Sequence, residues 1–530
     1  FGPVQTAMLR WKPSVWNQVE SAGEAPNGIV YDLVVHDDGS GPALYAAGNF
    51  TAVGDTAASG VARYDGNSWN ALGSGLIGTV FDLEPFDAPA GLLLIAAGSF
   101  AIPSGGPNLA AWNGTTWASF GPVLPGTVYA ARAVDGALIG TGQADDRLYV
   151  TGSFSFSGVA TGGGGPVNNI GYLNSNNKWM RLGDGLNGAG RTLELMAEAG
   201  EVSLFVGGDF TKADNKVVKH VARLRLVSGD GGGGGGGGGQ NNAWTTLGVG
   251  TNGPVRSLAV FDGDTGPRLY AGGQFSAAGG VGAANLASFE GGTWSAPLGL
   301  AGPAARVERL HVHDDGRGAA LYVTGGFDFA GAIPANDIAR FDGADWSQLG
   351  GGLGGTGRAL ASFGLSVGDS MDLFVGGDFL SQPDSGDRRM ARWSCVLGSA
   401  FASSAGCAGN PAFLSTQCLA LSVGQTCPLN LSSPEPQGVG LLYLGSLGLD
   451  GNGCGFVVPG LGELLLNISA PAFNLGLVPT VAGVTTFSVA VPNNPAFVGS
   501  PISFQAAHIA TALPGLPIAM SNALTAPIGL

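Results

Sequence analysis

The chain has 530 residues, of which only 12% are charged, and its formal net charge at pH 7 is −15. Nucleic-acid partners are disfavoured, because phosphate groups are bound by basic faces. No apolar run approaches the roughly 20 residues of a membrane-spanning helix, so we expect no membrane span. Because the chain starts at Phe1 without Met, we expect a processed, mature form.

A short phrase recurs seven times along the first three quarters of the chain. It consists of aliphatic or aromatic residues, a small residue, Gly, any residue and Phe, as in LYAAGNF and LFVGGDF. The seven copies end at Phe50, Phe100, Phe154, Phe210, Phe275, Phe327 and Phe379. A repeat period near 50 residues with several short strands per unit predicts a β-propeller with kelch-sized blades.

Each repeat contains the signals of four strands. An alternating segment such as 28–39 precedes the phrase, and segments such as 61–66 and the Trp-bearing 68–73 follow it. Asp-Gly and Gly-Gly pairs between such segments favour tight hairpins. We expect the Gly of the phrase to allow close backbone approach or a positive φ. The Phe and Trp residues are expected to pack between blades.

The register of the Trp strand predicts how the ring closes. The first Trp strand, around Trp16, precedes the first phrase, whereas only 388–393 follows the seventh phrase. We therefore predict that the strand 14–19 completes the blade that contains Phe379, which removes a free sheet edge. The prediction is a seven-bladed propeller over 1–395. Two Gly-rich inserts, 161–169 and 228–242, are expected to be surface loops.

The remaining segment, 396–530, has a different composition. Its only charged side chains are Glu435, Asp450 and Glu463, and strand-like stretches such as 439–445 and 485–491 alternate with Pro and Gly. This pattern predicts a small C-terminal β-sandwich. Little charge opposes association of its surface. We therefore expect one of two arrangements. Either the propeller or other molecules bury much of this surface, or the module is monomeric and exposes mainly Ser, Thr and Asn side chains to solvent.

All five cysteines lie in or beside this C-terminal segment, at Cys395, Cys407, Cys418, Cys427 and Cys454. No Cys-x-x-Cys pair or Cys/His set suggests zinc. Clustered cysteines in a small module favour disulfides and an oxidising compartment. Spacing alone leaves their pairing open, and an odd number leaves one thiol over or paired between chains.

The Gly-Gly-x-Phe and Ala-Arg-x-Asp-Gly repeats resemble kelch-type, galactose-oxidase-like propeller repeats. They are more similar to repeats of large secreted proteins from planctomycetes and related bacteria. The tail is similar to a C-terminal module of such proteins through Gly406-Cys407, Gly453-Cys454 and the segment 491–506. The resemblance implies secretion and a Cys407–Cys454 disulfide. A Cys418–Cys427 bridge would close a hairpin-sized loop and leave Cys395 free. Nothing supplies the Tyr and His copper ligands of galactose oxidase, so no cofactor is expected.

Few residues suggest catalytic chemistry. His36 and His313 occupy the same repeat position and are read as structural, and His311 with His313 is only a conceivable metal pair. The pairs Asp37-Asp38 and Asp314-Asp315 could be catalytic carboxylates, but Asp-Asp-Gly also forms hairpin turns. His220 follows a lysine-rich loop, and His508 stands alone in an apolar strand. The best candidates on innermost strands are Asp82, Glu84, Arg132, Glu194 and Glu308.

Three classes of function remain. We expect an extracellular structural or surface-coat protein that self-associates and is not an enzyme, because charge and catalytic groups are scarce. An adhesin that binds cell-surface glycans or proteins through its loops is the alternative. A propeller hydrolase, lyase or oxidase would gather titratable groups around the central channel. The expected partners are other copies of the chain and cell-surface glycans.

Overall fold

The computed structural model describes 15–17, 25–88, 91–103, 105–139, 146–157, 161–162, 165–198, 201–226, 244–263, 266–296, 299–315, 318–364 and 372–394, and the backbone of strands between 402 and 529. One compact unit spans Trp16–Trp393, and the strands after Ser394 belong to a second unit. None of the described residues forms a helix that is long and apolar enough to cross a membrane.

The first unit contains seven sheets that share one order of four antiparallel strands. We number them sheet 1 to sheet 7 along the chain. The first strands, called inner strands below, are Val30–Asp37, Ile77–Ala88, Gly126–Val134, Gly190–Glu198, Val255–Gly263, Arg306–Asp314 and Gly357–Phe363. The second strands, which carry the repeated phrase, are Pro42–Gly48, Gly91–Ala101, Arg147–Phe156, Glu201–Gly208, Gly266–Gly273, Ala319–Gly326 and Asp372–Gly377.

The two outer strands of each sheet are shorter. The third strands are Val61–Tyr64, Pro107–Trp112, Val167–Leu173, Val221–Leu226, Leu286–Glu290, Ile338–Phe341 and Met390–Ser394. The fourth strands of sheets 1 to 6 are Trp69–Ala71, Trp117–Ser119, Trp179–Arg181, Trp244–Thr246, Thr293–Ser295 and Trp346–Gln348. The fourth strand of sheet 7 is Val15–Asn17, which pairs with Met390–Ser394.

Additional two-residue strands lie between the second and third strands of most sheets, and one lies before the inner strand of sheet 6. Thr161–Gly162 adds a fifth, parallel strand to sheet 3 beside Trp179–Arg181. The others are Ala52–Val53, Thr56–Ala57, Lys212–Ala213, Lys216–Val217, Ala277–Ala278, Val281–Gly282, Leu300–Ala301, Phe329–Ala330 and Ile333–Pro334. The insert 228–242 lies outside the described residues.

The inner strands are neighbours in a closed cycle. Each lies beside the inner strand of the next sheet, and Gly357–Phe363 lies beside Val30–Asp37. The expected all-β class is confirmed, and the repeated four-stranded sheets are compatible with a β-propeller.

The Gly of the repeated phrase is explained by a close backbone contact. A Cβ on Gly48 would lie 2.1 Å from the carbonyl oxygen of Ile29, and one on Gly273 would lie 2.1 Å from that of Pro254. No side chain fits at such a distance, so the predicted close approach is confirmed, and Gly is required at the end of the second strand. This contact lies beside the bulge described in the next subsection.

Tryptophans of sheets 2, 3, 4, 5 and 7 donate hydrogen bonds to residues that follow the fourth strand of the preceding sheet. The indole Nε1 of Trp117 donates to the Leu72 carbonyl at 3.1 Å, and Trp294 donates to Leu247 at 2.7 Å. Trp16 donates to Leu349 of sheet 6 at 2.9 Å, and its ring meets Trp393 at 5.2 Å. The indoles are buried, so they stabilise the junctions by burial and by a hydrogen bond together. This confirms the predicted packing between repeats.

The second unit is also made of strands. One sheet contains Ala402–Ser404, Gly438–Gly445, Phe473–Thr480, Pro501–Ala510 and Ile518–Gly529, with Leu421–Ser422 paired to the last. A second contains Phe413–Thr416, Thr426–Ser432 and Val484–Ala490, and Phe456–Val458 pairs with Gly462–Leu464. The side chains of the predicted disulfides, Cys407–Cys454 and Cys418–Cys427, and of His508 lie outside what the structure describes, as does Cys395.

Candidate functional site

Every inner strand carries a β-bulge at the same point. The ladder to the second strand skips one residue there, for example between Val30 and Asp32 and between Gly190 and Thr192. A bulge leaves its extra residue unpaired and redirects that side chain. The seven bulge residues, which we call the bulge ring, are Tyr31, Phe81, Tyr129, Arg191, Arg256, Glu308 and Arg358.

One half of the bulge ring is aromatic. The rings of Tyr31 and Phe81 lie 5.1 Å apart, and those of Phe81 and Tyr129 lie 5.2 Å apart. Arginines border this row at both ends, because Arg191 lies 4.2 Å from the Tyr129 ring centre and Arg358 lies 5.6 Å from that of Tyr31. All five side chains are half-buried. The ring therefore offers both aromatic surface and guanidinium donors to a ligand.

The other half of the bulge ring centres on the carboxylate of Glu308. Arg306 contacts it at 2.7 Å, Arg256 at 3.5 Å and Arg358 at 3.6 Å. Arg358 also contacts Asp378 at 2.9 Å. Three guanidiniums thus face two carboxylates. The Nε atoms of Arg256 and Arg358 are buried and have no hydrogen-bond acceptor among the described residues.

Carboxyl groups gather elsewhere on the inner strands of sheets 1 to 4. Arg132 lies 3.9 Å from Glu84 and 3.4 Å from Glu194. Glu84 also accepts the N–H of Ala133 at 2.8 Å. Four of the five predicted candidates, Asp82, Glu84, Arg132 and Glu194, are therefore brought together. The fifth, Glu308, belongs to the bulge ring.

Two aspartates extend this group. Asp32 contacts Arg309 at 2.7 Å and accepts the N–H of Leu83, while Asp82 accepts the N–H of Ala131 at 2.7 Å. The backbone hydrogen bonds join the inner strand of sheet 1 to that of sheet 2 and the inner strand of sheet 2 to that of sheet 3, so both aspartates also have a structural role. We call Asp32, Asp82, Glu84 and Glu194, with Arg132 and Arg309, the carboxyl cluster.

The carboxyl cluster holds protons near neutral pH. Burial, with the neighbouring charge of Asp32, raises the pKa of the Asp82 carboxyl to about 8 against the opposing charge of Arg309. Burial also raises the pKa of Glu84 to about 7, opposed by Arg132. Four carboxyls share two guanidiniums, so the uncompensated negative charge is removed by protonation. Groups with such pKa values can give or take protons near pH 7.

Sheets 6 and 7 hold a different set of polar groups. The Ser362 hydroxyl lies 2.8 Å from Nε2 of His311 and 2.8 Å from Nδ1 of His313. A hydroxyl has one hydrogen, so it donates to one imidazole and accepts from the other. Burial lowers the pKa of His311 to about 3 and that of His313 to about 4, so both are neutral at pH 7. We call these three residues the His–Ser cluster.

The structural interpretation of the repeated histidines fits their surroundings. His36 packs edge-on against Tyr45 at 5.5 Å, and His313 packs in the same way against Tyr322 at 5.2 Å. No group of three His, Cys, Asp or Glu that could hold a metal occurs in the part of the chain that the structure describes. His220 has a φ of 70°, in the left-handed region, just before a third strand.

The Asp-Asp-Gly pairs form turns. Asp37 accepts the N–H groups of Gly39 and Gly41, each at 2.9 Å, and Asp314 accepts that of Gly318 at 3.0 Å. The turn interpretation is therefore confirmed by these hydrogen bonds.

Six of the seven bulge-ring residues were missed by the sequence analysis. The equivalent position is Tyr, Phe, Arg or Glu in the different repeats, so it belongs to no recognisable sequence motif. Alignment of the repeats on the motif glycine would have marked the position, since Tyr31 precedes Gly48 by the same distance as Phe81 precedes Gly98. A bulge is a backbone feature, and sequence periodicity does not reveal it.

No family model and no curated protein matches the chain. Among solved structures, it is similar to a mutant of Trypanosoma rangeli sialidase displaying trans-sialidase activity. The identity is 10%, the TM-score is 0.28, and the match covers 99% of this chain and 95% of that one.

This comparison contradicts the prediction that the chain is not an enzyme, because the similar solved structure is that of an enzyme. The prediction had rested on a scarcity of catalytic groups in the sequence. Folding nevertheless gathers Asp82 and Glu84, with raised pKa values, on the inner strands. A likeness this distant assigns no reaction, substrate or residue role to this chain.

Proposed function

We propose that the first unit is a seven-bladed β-propeller that binds carbohydrate at its bulge ring, outside the cell. The observation that carries the proposal is the ring itself, in which three aromatic side chains lie beside arginines and a glutamate. Sugar rings present a C–H face that stacks on aromatic rings, and their hydroxyls accept hydrogen bonds from guanidinium groups. Sites of this kind combine apolar surface with a few placed polar groups.

The seven-bladed architecture is supported by the strand order. Seven sheets share one order of strands, their inner strands are neighbours in a closed cycle, and Val15–Asn17 completes sheet 7. In such a ring, all seven bulge residues lie near the starting ends of the inner strands. We also propose that the repeats are of the kelch-like type found in secreted planctomycete proteins. The second unit is, in the same proposal, a C-terminal β-sandwich.

Binding of oligosaccharides by the full chain, measured by calorimetry and on a glycan array, tests the carbohydrate proposal. Replacing Tyr129 by Ala should weaken binding by roughly fivefold, because a stacked ring contributes about 1 kcal/mol. Tyr172 is a buried tyrosine away from the ring, and Tyr172→Phe serves as the control that should retain affinity. Failure of every saccharide to bind would refute the proposal.

Self-association is a second candidate function, supported by an apolar surface. Seven of the nine exposed large apolar residues in the described part lie at the starting ends of the inner strands or in the loops there: Ile77, Val123, Val217, Val249, Val281, Phe329 and Leu380. An apolar surface on one side of a protein is typical of an interface. The low charge of 396–530 supports the same function.

Mass measurement across a concentration series tests self-association. The variant Val217→Ser/Val281→Ser should dissociate any assembly through this surface. The matched control is Leu92→Ser/Leu138→Ser, because these two exposed residues lie at the opposite ends of their sheets. A monomeric full-length protein at high concentration would contradict this candidate and leave carbohydrate binding unaffected.

A further inference from the structure

We infer that the saccharide bound at the bulge ring is acidic, and that its anionic group is held by Arg256, Arg306 and Arg358. The inference rests on the proposed carbohydrate-binding function and adds the chemical class of the ligand. A carboxylated or sulfated sugar supplies the required anion. These two sources share the same chemistry, and the experiment below separates them.

The local charge supports an anionic ligand. Among the described residues, the three arginines form ion pairs with two acids, Glu308 and Asp378, and the charge of Arg306 also acts on the more distant Asp337 carboxyl. At contact distance, three guanidiniums therefore face two carboxylates. This excess stands out in a chain with a formal net charge of −15. Glu308 shows that a carboxylate can be bound by all three guanidiniums at once. An anion from outside would complete the charge balance.

Unused hydrogen-bond donors point the same way. The Nε atoms of Arg256 and Arg358 are buried without an acceptor among the described residues. Buried donors are normally paired, and an unpaired one calls for an explanation. An anion seated against Glu308 would let these guanidiniums turn and use the free donors.

The position of the arginines relative to the aromatic row fits an acidic sugar. Arg358 contacts the Glu308 carboxylate and also lies 5.6 Å from the Tyr31 ring centre. A sugar stacked on Tyr31 can therefore place a substituent against Arg358. Each border arginine has an aspartate partner: Arg358 contacts Asp378 at 2.9 Å, and Arg191 is held by Asp209 through two hydrogen bonds of 2.9 and 2.7 Å. The borders differ because only Arg358 also belongs to the group of arginines around Glu308. Arg191 is thus neutralised, and it provides a matched control within the same ring.

The test compares three oligosaccharides of equal length with the full chain: a galacturonic acid oligomer, a sulfated galactose oligomer and a neutral galactose oligomer. We expect an acidic oligomer to bind about tenfold more tightly than the neutral one, since hydrogen bonds to charged groups are stronger than neutral ones. Arg256→Gln should remove that preference, whereas Arg191→Gln should retain it. Thermal melts of both variants check that they fold.

The outcomes separate the two proposals. Tighter binding of the galacturonic acid oligomer alone assigns a carboxylate, and tighter binding of the sulfated oligomer alone assigns a sulfate; either supports the inference. Equal affinity for all three oligomers, or equal loss of preference in both arginine variants, overturns the inference and leaves carbohydrate binding in place. No binding of any oligomer overturns both.

Discussion

The carboxyl cluster and the His–Ser cluster lie on the same cycle of inner strands and meet on the strand Arg306–Asp314, which carries both Arg309 and His311. The pKa values of their buried groups are nevertheless shifted in opposite directions. Burial raises the pKa of Asp82 to about 8 and lowers that of His311 to about 3. The physical cause is the same in both, because removal from water disfavours whichever form is charged. At neutral pH, both groups are largely neutral.

The bulge ring contrasts with both clusters. Its side chains are half-buried, and its arginines Arg256 and Arg358 form ion pairs with Glu308. The comparison shows that the inner strands concentrate charge where the bulges bring side chains towards solvent. Buried positions instead carry neutral or paired groups that join neighbouring strands, such as Asp32 to Leu83.

The largest expected effect is a loss of stability at alkaline pH caused by the carboxyl cluster. A carboxyl whose folded pKa is raised stabilises the protein below its unfolded pKa, and this contribution is lost as pH rises through the folded value. From pH 5 to pH 9, Asp82 and Glu84 should therefore cost on the order of 5 kcal/mol of stability. The thermal midpoint, measured across this range, should fall.

Asp82→Asn isolates this effect. The amide oxygen can still accept the N–H of Ala131, but the side chain no longer titrates. The alkaline fall of the thermal midpoint should become shallower. An Asp82→Asn curve parallel to that of the unsubstituted protein would contradict the assignment of the proton to this cluster.

The His–Ser cluster should produce a smaller effect of opposite sign. A histidine whose folded pKa is lowered stabilises the protein above its unfolded pKa, near 6.5, and this contribution is lost as pH falls through the folded value. Stability should therefore decline from pH 6.5 towards pH 4, by about 3 kcal/mol. His311→Gln, which cannot titrate, should flatten this acid limb when followed by thermal unfolding.

Ser362→Ala is the control for the histidine prediction. It removes the hydroxyl that both imidazoles contact at 2.8 Å but leaves both histidines able to titrate. We expect a loss of about 1 kcal/mol at every pH, with the slope of the acid limb retained. If Ser362→Ala flattens the acid limb as much as His311→Gln, protonation of the histidines is not its cause.

The sequence predicted the repeated sheets more fully than the site. The phrase around Gly48 and its copies marks a backbone contact that tolerates no side chain, so the requirement is visible in every repeat. The carboxyl cluster was partly foreseen, because four of its members, Asp82, Glu84, Arg132 and Glu194, fall on alternating segments. The bulge ring was not foreseen, since Tyr129 and Arg191 share a position only through backbone geometry.

The smallest effect on stability is expected in the bulge ring. Arg191 is about one-third exposed and pairs with Asp209, and exposed ion pairs contribute about 0 to 1 kcal/mol. Arg191→Gln should therefore shift the thermal midpoint less than Asp82→Asn does at alkaline pH, and its shift should be independent of pH between 5 and 9. Thermal melts at pH 5, 7 and 9 measure both. If the thermal midpoint of Arg191→Gln instead shifts with pH as much as that of Asp82→Asn, the bulge ring and the carboxyl cluster titrate as one unit. The distinction between the ion-paired bulge ring and the neutral buried clusters would then be wrong.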